Sequence, residues 1–150
     1  MQKILVAVDG SGMSNAALEE ALQLARERRA KVRIVHVVDS PYTYPDVLYG
    51  QFSADLDAVR KAWREAGQKV LDQAVAIAQK KDIPAESALL DSDSKRLSGV
   101  IVEEAQRWGA DLIAVGSNGH RGLEGIWLGS VAEAVARTAP VSVFLVRGPR

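Results

Sequence analysis

The stretch ILVAVDGSGMSNAALEEALQLARERRAKVRIVHVV, residues 4–38, decides the fold class. It opens with five apolar residues, a run that is typical of a strand buried in a parallel sheet. Residues 32–38 form a second run rich in β-branched side chains. Between the two runs, four apolar residues recur at the i, i+3, i+4, i+7 spacing of one helix face: Leu18, Ala21, Leu22 and Ala25. The stretch therefore predicts a strand–helix–strand unit with a right-handed crossover.

The rest of the chain repeats this alternation. Pro41, Pro45, Gly50 and three tyrosines mark residues 39–54 as a long loop, either a lid or a surface excursion. A helix follows whose predicted apolar face is Leu56, Val59, Trp63, Ala66, Val70, Ala74 and Ile77. Further strands are predicted at 85–90, 111–115 and 141–146, with helices at 97–108, which Gly109 ends, and at 130–138. The order predicts an α/β fold: one open five-stranded parallel sheet with helices on both faces.

Length, charge and cysteine content restrict the class of protein. The 150 residues fit a single domain, 1–150, with one core. Lys and Arg number 19 and Asp and Glu number 19, so the net charge of zero argues against nucleic acid as a partner. The absence of Cys excludes thiolate sites and fits a cytoplasmic protein. No signal-peptide pattern opens the chain, and no apolar run reaches the roughly 18–20 residues of a membrane span.

Ligands of open α/β sheets bind beyond the carboxyl ends of the strands. Asp9, Asp39, Asp91 and Arg147 each follow a predicted strand. After the fourth strand comes a glycine-rich segment that ends at a helix start: Gly116, Gly119, Gly122, Gly125, Gly129 and Ser130. Glycines let backbone N–H groups approach an anion, and a helix N-terminus adds donors. By pattern alone the segment is a phosphate site or a plain turn; it is not a Walker A loop, because no Gly-Lys-Ser/Thr follows.

Several segments in order resemble the universal stress protein family, and the resemblance covers essentially the whole chain. Gly116-x2-Gly119-x9-Gly129-Ser130 has the spacing of the nucleotide loop in its ATP-binding members. The other matching segments are Ile4–Ser11, His36-Val37-Val38, Ala110–Gly116, Leu128–Glu133 and Pro140–Val146. The sequence departs from the family pattern at Asn118, His120 and Ala132, and Asp91-Ser92-Asp93 lacks the usual glycine. These departures leave the affinity for phosphate open.

The resemblance implies strand order 3-2-1-4-5 and an ATP, ADP or AMP site with Mg²⁺ between the first and fourth strands. It implies that Asp9 and the backbone of Val37 hold the adenine and ribose end, and that backbone N–H groups hold the phosphates, helped by the Ser130 hydroxyl. The implied cofactor-binding residues are Ala7, Asp9, Val37, Gly116, Gly119, Gly129, Ser130 and Val131. No residue is assigned to catalysis or to a dedicated metal site. The resemblance also implies a homodimer through strand five.

Four functions compete at this stage: an ATP-binding regulatory module in stress response, a slow ATPase or nucleotide-dependent enzyme, a dimeric scaffold without nucleotide, and a receiver-like phosphoacceptor domain. An enzyme needs a general base, and Asp9 is the only acid clearly at the proposed site. A receiver needs strand order 2-1-3-4-5 and a lysine after strand five, where Arg147 stands. The first function is therefore preferred.

Three further residue types have plain structural interpretations. Asp9 is either a nucleotide ligand or only a helix N-cap, with Ser11 and Ser14 as other possible caps. His36, in an apolar strand, is interpreted as a packed strand residue, and His120 contacts a phosphate or faces water. The Trp residues of the second and third helices are interpreted as core residues, and Trp127 as a core residue or a dimer contact.

Overall fold

The computed structural model describes residues 2–40, 56–117 and 129–148. Most of the predicted loop, as well as Asn118, Gly119, His120 and Trp127, lies outside these residues. The described elements are β1 (Lys3–Ala7), α1 (Gly12–Arg28), β2 (Lys31–Val38), α2 (Leu56–Lys80), β3 (Ala85–Asp91), α3 (Leu97–Trp108), β4 (Leu112–Gly116), α4 (Ser130–Thr138) and β5 (Ser142–Val146). The predicted strand–helix alternation is confirmed, with strand ends that shift by one residue. Gly109 ends α3 in the left-handed conformation, as predicted.

The five strands form one sheet in the order β3-β2-β1-β4-β5. All four neighbouring pairs are parallel. In the centre of the sheet, Leu5 lies between Arg33 of β2 and Ile113 of β4. The implied order 3-2-1-4-5 is confirmed. A receiver domain would need the order 2-1-3-4-5, so that alternative is wrong.

Side chains of successive residues in β1 pack into two separate layers of core. Ile4 and Val6 are fully buried against residues of α1 and α2. Leu5, equally buried, packs with residues of α3 and α4 on the other face of the sheet. Because neighbouring side chains of a strand point to opposite faces, a strand covered on both sides is apolar throughout. This explains the unbroken apolar run with which the chain begins.

The start of α1 corrects one sequence-based alternative. Ser11 is the N-cap, and its hydroxyl accepts a hydrogen bond from the backbone N–H of Ser14 at 3.1 Å. Asp9 lies two residues before this N-cap and therefore does not cap the helix. The Asp9 carboxylate instead accepts a hydrogen bond from the backbone N–H of Ser11 at 2.9 Å.

The buried face of α2 differs from the predicted one by about one residue. Its buried residues are Gly67, Leu71, Ala74 and Ala78, whereas Ala66, predicted to face the core, is exposed. A close approach to β2 explains the shift, because a Cβ on Gly67 would lie 2.7 Å from the side chain of Val38 and 2.9 Å from that of His36. Only a glycine lets the helix lie so near the strand. The helix therefore turns this position toward the sheet.

Candidate functional site

The carboxyl ends of β1 and β4 lie side by side in the sheet. Val6 of β1 is in register with Ala114 of β4. The chain leaves β1 toward β2 on one side, and it leaves β4 toward β5 on the other. This reversal of direction is the topological switch point at which open α/β sheets bind ligands. Asp9 follows β1, and Gly116 is the last residue of β4, so the sheet brings these two predicted site residues to the same crevice.

Asp9, Ser11 and Ser14, where β1 leads into α1, form a closed set of hydrogen bonds. The backbone N–H of Asp9 donates to the Ser14 hydroxyl at 2.9 Å, and the Asp9 carboxylate accepts from the Ser11 N–H at 2.9 Å. The Ser14 N–H donates to the Ser11 hydroxyl. Ser14 is buried and Asp9 is half-buried. These bonds fix the position of the Asp9 carboxylate at the mouth of the crevice.

Gly116 lies directly against the first turn of α1. A Cβ at this position would lie 2.9 Å from Cγ of Met13 and 3.0 Å from the backbone carbon and oxygen of the same residue. Contacts below about 3 Å are repulsive, so a side chain would force β4 and α1 apart. The glycine thus has a packing role at the end of β4 that does not depend on any ligand.

The first turn of α4 begins beside the end of β4. The N–H of Ser117 donates to the carbonyl of Val146 at 2.8 Å, which extends the pairing with β5. The Ser117 carbonyl accepts from the N–H of Gly129 at 2.6 Å. Gly129 is the N-cap of α4, and no side chain of the described part of the chain caps this helix. The first N–H groups of a helix have no intrahelical acceptor, so those of α4 are available to an anion.

The predicted adenine and ribose end lies on the neighbouring strands. Ala7 ends β1 and Val37 lies near the end of β2; both are half-buried and pack on the side of the sheet that α3 and α4 cover. The Val8 N–H donates to the carbonyl of Val35, and the His36 ring donates through Nδ1 to the carbonyl of Val8 at 2.7 Å. His36 is therefore a packed strand residue, in agreement with its sequence interpretation.

Seven of the eight predicted site residues lie at this edge of the sheet, and Gly119 lies outside the described residues. Sequence reasoning did not identify Ser14 and Ser117 as the residues that hold Asp9 and Gly129 in place. Ser14 acts through its hydroxyl, whereas Ser117 acts through its backbone N–H and carbonyl, which no residue type in the sequence reveals. Among residues 2–40, 56–117 and 129–148, no group of three or more His, Asp or Glu side chains is arranged to hold a metal ion.

A separate groove of about 490 Å³ lies between α2 and the edge strand β3. Its lining is mixed in charge and contains none of the predicted site residues: Asp57, Arg60, Lys61, Arg64, Glu65, Gln68 and Leu89. Leu89 packs with the α1 and α2 layer of the core, whereas Ala7 and Val37 pack with the opposite layer. The groove is therefore distinct from the crevice between β1 and β4.

Comparison with known proteins agrees with this geometry. The sequence model of the universal stress protein family matches residues 1–147. Universal stress protein YxiE of Bacillus subtilis is 34% identical over 148 residues, which are 97% of this chain and 98% of the relative. A universal stress protein solved in complex with cAMP superposes with a TM-score of 0.71 at 26% identity, over 99% of this chain and 98% of that one. One from Archaeoglobus fulgidus, solved in complex with dAMP, superposes with a TM-score of 0.68 at 27% identity, over 97% and 98%.

The sheet order and the crevice at its switch point define the class as an open α/β fold with a ligand crevice at the carboxyl ends of its strands. Within that class, the chain belongs to the universal stress protein family. In the part of the chain that the structure describes, no helix is long and apolar enough to span a bilayer.

Proposed function

We propose that this protein is a nucleotide-dependent regulatory module that binds ATP, or ADP or AMP, with Mg²⁺ at the crevice between β1 and β4. The observation on which the proposal rests is the open N-terminus of α4. Gly129 places no side chain over the first-turn N–H groups, and the Ser117 carbonyl anchors Gly129 beside Gly116. Backbone donors and a positive helix dipole end suit a phosphate chain.

The remaining contacts place the phosphates at the α4 side of the crevice and the ribose and adenine at the β1 and β2 side. We assign the phosphates to the backbone N–H groups of Gly116, Gly119, Ser130 and Val131, together with the Ser130 hydroxyl. The Gly129 N–H, which the family resemblance also implied, already donates to the Ser117 carbonyl, so Gly129 contributes open space at the helix start. Asp9, Ala7 and the backbone of Val37 hold the ribose and adenine. Two relatives support an adenine nucleotide, since one structure contains cAMP and another dAMP. Binding then changes the shape or the partners of the protein in stress.

Calorimetric titration with ATP and Mg²⁺ tests the proposal. Wild-type protein is compared with Gly129→Asp, which sets a negative charge on the phosphate site. Asp is also a good N-cap, so the variant is expected to fold. Like charges in contact cost several kcal/mol, so we expect at least about a 100-fold loss of affinity. Gly129→Asn is the matched control, because it adds a side chain of the same shape without the charge.

Saturable binding by the wild type that Gly129→Asp loses, and Gly129→Asn loses less, supports the phosphate site. No heat of binding with the wild type at millimolar ATP overturns it. Release of inorganic phosphate, measured in the same samples, decides between a binding module and a slow ATPase. The Asp9 carboxylate already accepts a bond from Ser11, so we assign it to binding and not to base catalysis.

Two further properties belong to the same proposal. β5 is an edge strand of the sheet, with half-buried Val143, Phe144 and Leu145, and we propose that it pairs with a second copy. Sedimentation equilibrium measures this directly: a mass of two chains supports the dimer, and a mass of one chain at high concentration refutes it. We further propose that the protein acts in the cytoplasm.

A further inference from the structure

The end of β5 lies beside the start of α4, and one residue connects the two. Ser117 donates its N–H to the carbonyl of Val146 at 2.8 Å, and its carbonyl accepts from the N–H of Gly129 at 2.6 Å. Val146 is the last residue of β5, and Arg147 follows it directly. Arg147 and the N-cap of α4 are therefore both held next to Ser117.

A second contact fixes the backbone on the other side of Arg147. A Cβ on Gly148 would lie 2.8 Å from Sδ of Met13, and a Cβ on Gly116 would lie 2.9 Å from Cγ of the same side chain. Both glycines therefore pack directly against Met13 in the first turn of α1. Because Val146 is hydrogen-bonded on one side and Gly148 is packed on the other, the backbone of Arg147 is held at the crevice.

The pleat of β5 decides on which face of the sheet the side chain of Arg147 lies. Val143 and Leu145 pack in the core layer that α3 and α4 cover, whereas Phe144 packs in the opposite layer. Side chains of a strand alternate between the two faces, so Arg147 continues the row of Val143 and Leu145. Val131, in the first turn of α4, belongs to the same layer. Arg147 therefore lies on the face of the sheet at which α4 begins.

The guanidinium of Arg147 is a charge without a partner in the described part of the chain. The residue is exposed, and its side chain forms no ion pair or hydrogen bond with the described residues. Arg107 and Arg137, by contrast, pair with Glu104 and Glu133. Among the described residues that directly follow β1, β4 and β5, Arg147 is the only cation. The backbone donors proposed for the phosphates are neutral, so this guanidinium is the group that can balance their charge.

The order of the strands indicates which phosphate Arg147 meets. The proposed function places the adenine and ribose at β2 and β1, and the phosphates at the start of α4 beside β4. The next strand in the sheet is β5, about 4.8 Å beyond β4. A nucleotide that crosses the strands in this order brings the phosphate farthest from its ribose nearest to Arg147. AMP has only the phosphate nearest to the ribose, so it ends before this position.

We infer that Arg147 is a specificity-determining residue that binds the terminal phosphate of ATP and makes the site prefer ATP over AMP. The inference rests on the proposed function and deepens it, because that function leaves the choice among ATP, ADP and AMP open. The planar guanidinium presents two parallel N–H groups that can hold two oxygens of one phosphate. The preference for ATP then comes from a single side chain at the end of β5.

Calorimetric titration with ATP and with AMP, each with Mg²⁺, tests the inference on the wild type, Arg147→Gln and Arg147→Lys. We expect Arg147→Gln to lower the affinity for ATP about 10-fold, as the loss of one charge-assisted hydrogen bond predicts, and the affinity for AMP less than about 2-fold. Arg147→Lys keeps the charge without the fork, so its affinity for ATP should lie between the other two. Lys31→Gln is the matched control, because it removes an exposed charge at the start of β2, at the opposite end of the sheet. It should match the wild type.

A salt titration adds a readout that a purely structural role would not change. The attraction between an exposed guanidinium and a phosphate is screened by salt. The difference in ATP affinity between the wild type and Arg147→Gln should therefore shrink as the concentration of sodium chloride rises. A difference that stays constant with salt would mean that Arg147 acts on the site through the fold and not through its charge, which would overturn the inference.

Two other results would overturn the inference and leave the proposed function standing. If Arg147→Gln binds ATP as tightly as the wild type does, the guanidinium does not contact the phosphates. If Arg147→Gln weakens ATP and AMP by the same factor, the residue does not distinguish the terminal phosphate from the first one. A wild type that binds neither ATP nor AMP is a different outcome, because the proposed function itself then fails.

Discussion

The N-termini of α1 and α4 lie at the same edge of the sheet, after the neighbouring strands β1 and β4, but their donors meet different partners. At α1, Ser11 caps the helix, and Ser14 accepts from the N–H of Asp9. At α4, Gly129 is the N-cap and offers no side-chain acceptor. At α1 the N–H groups of Ser11 and Ser14 are bonded to side chains, whereas the first turn of α4 has no side-chain cap among the described residues.

This difference shows that a helix start after a central strand can either hold a side chain in place or leave its N–H groups open. The closed set of bonds before α1 holds the Asp9 carboxylate at the crevice, where it is a fixed acceptor. The open turn of α4 is a set of donors, placed by the bond between Ser117 and Gly129. A nucleotide offers both ribose hydroxyls and phosphate oxygens, so it needs an acceptor and a set of donors in one crevice. In the proposed function, the two helix starts together supply them.

The largest expected effect concerns the contact between the two regions. Gly116→Ala introduces a Cβ within 3.0 Å of Met13 in the first turn of α1. We expect the free energy of unfolding to fall by about 1–3 kcal/mol, because overpacking forces the backbone to move. Urea unfolding measures it. Gly12→Ala is the matched control, since a Cβ there meets no atom within 4 Å, and it should leave stability unchanged or raise it by up to about 1 kcal/mol. Equal stability of both variants would contradict the close contact.

The closed set of bonds is tested by Ser14→Ala. The substitution leaves the N–H of Asp9 without its acceptor in a half-buried place, so we expect a loss of about 1–2 kcal/mol in thermal or urea unfolding. Ser117→Ala is the comparison, because the Ser117 hydroxyl has no partner in the described residues although the residue is 8% exposed. If Ser117→Ala lowered the free energy of unfolding as much as Ser14→Ala does, the two hydroxyls would not differ in their structural roles.

A pair of serine variants separates stability from binding. Ser11→Ala removes the cap of α1 and should cost about 1 kcal/mol of unfolding free energy. Ser130→Ala, at an exposed position of α4, should change the free energy of unfolding by less than about 0.5 kcal/mol. It should lower the affinity for ATP about 3- to 10-fold. Denaturation and calorimetry on the same samples measure both quantities. If Ser130→Ala destabilises the fold and leaves the affinity for ATP intact, Ser130 stabilises α4 as Ser11 stabilises α1, and it does not contact the ligand.

The smallest effect comes from capping the open helix. Gly129→Asn gives α4 a side-chain acceptor, and we expect a gain of a few tenths of a kcal/mol in unfolding free energy. The same residue at the other helix, Ser11→Asn, exchanges one good cap for another and should change little. Thermal unfolding of both variants, with replicate precision of a few tenths of a degree, gives the answer. A loss of stability in Gly129→Asn would mean that another group already caps α4.

Much of the fold followed from periodicity in the sequence. Apolar runs such as 4–8 and 112–115 predicted the buried strands, because residues covered on both faces must all be apolar. The face of α2 was placed about one residue off, since the decisive residue was Gly67, which has no hydrophobic side chain to reveal it. The close contact of Gly67 with His36 and Val38 is a property of two elements distant in sequence.

The candidate site was predictable where it followed a spacing. Asp9, Gly116 and Gly129 were identified because each lies at a strand end or helix start. The role of Asp9 as a residue held by Ser11 and Ser14, and not a helix cap, required the backbone path of the turn.

The sequence by itself determined the alternation of strands and helices and the glycine spacing around residues 116–130, since both depend on residue type and on separation along one chain. The tertiary structure alone decided which N–H groups are satisfied and which remain open, and which helix starts lie side by side. Hydrogen-bond satisfaction and burial depend on atoms brought together from distant segments, as Ser117 meets Gly129 and α3 lies over β2. No local pattern of residues specifies those contacts.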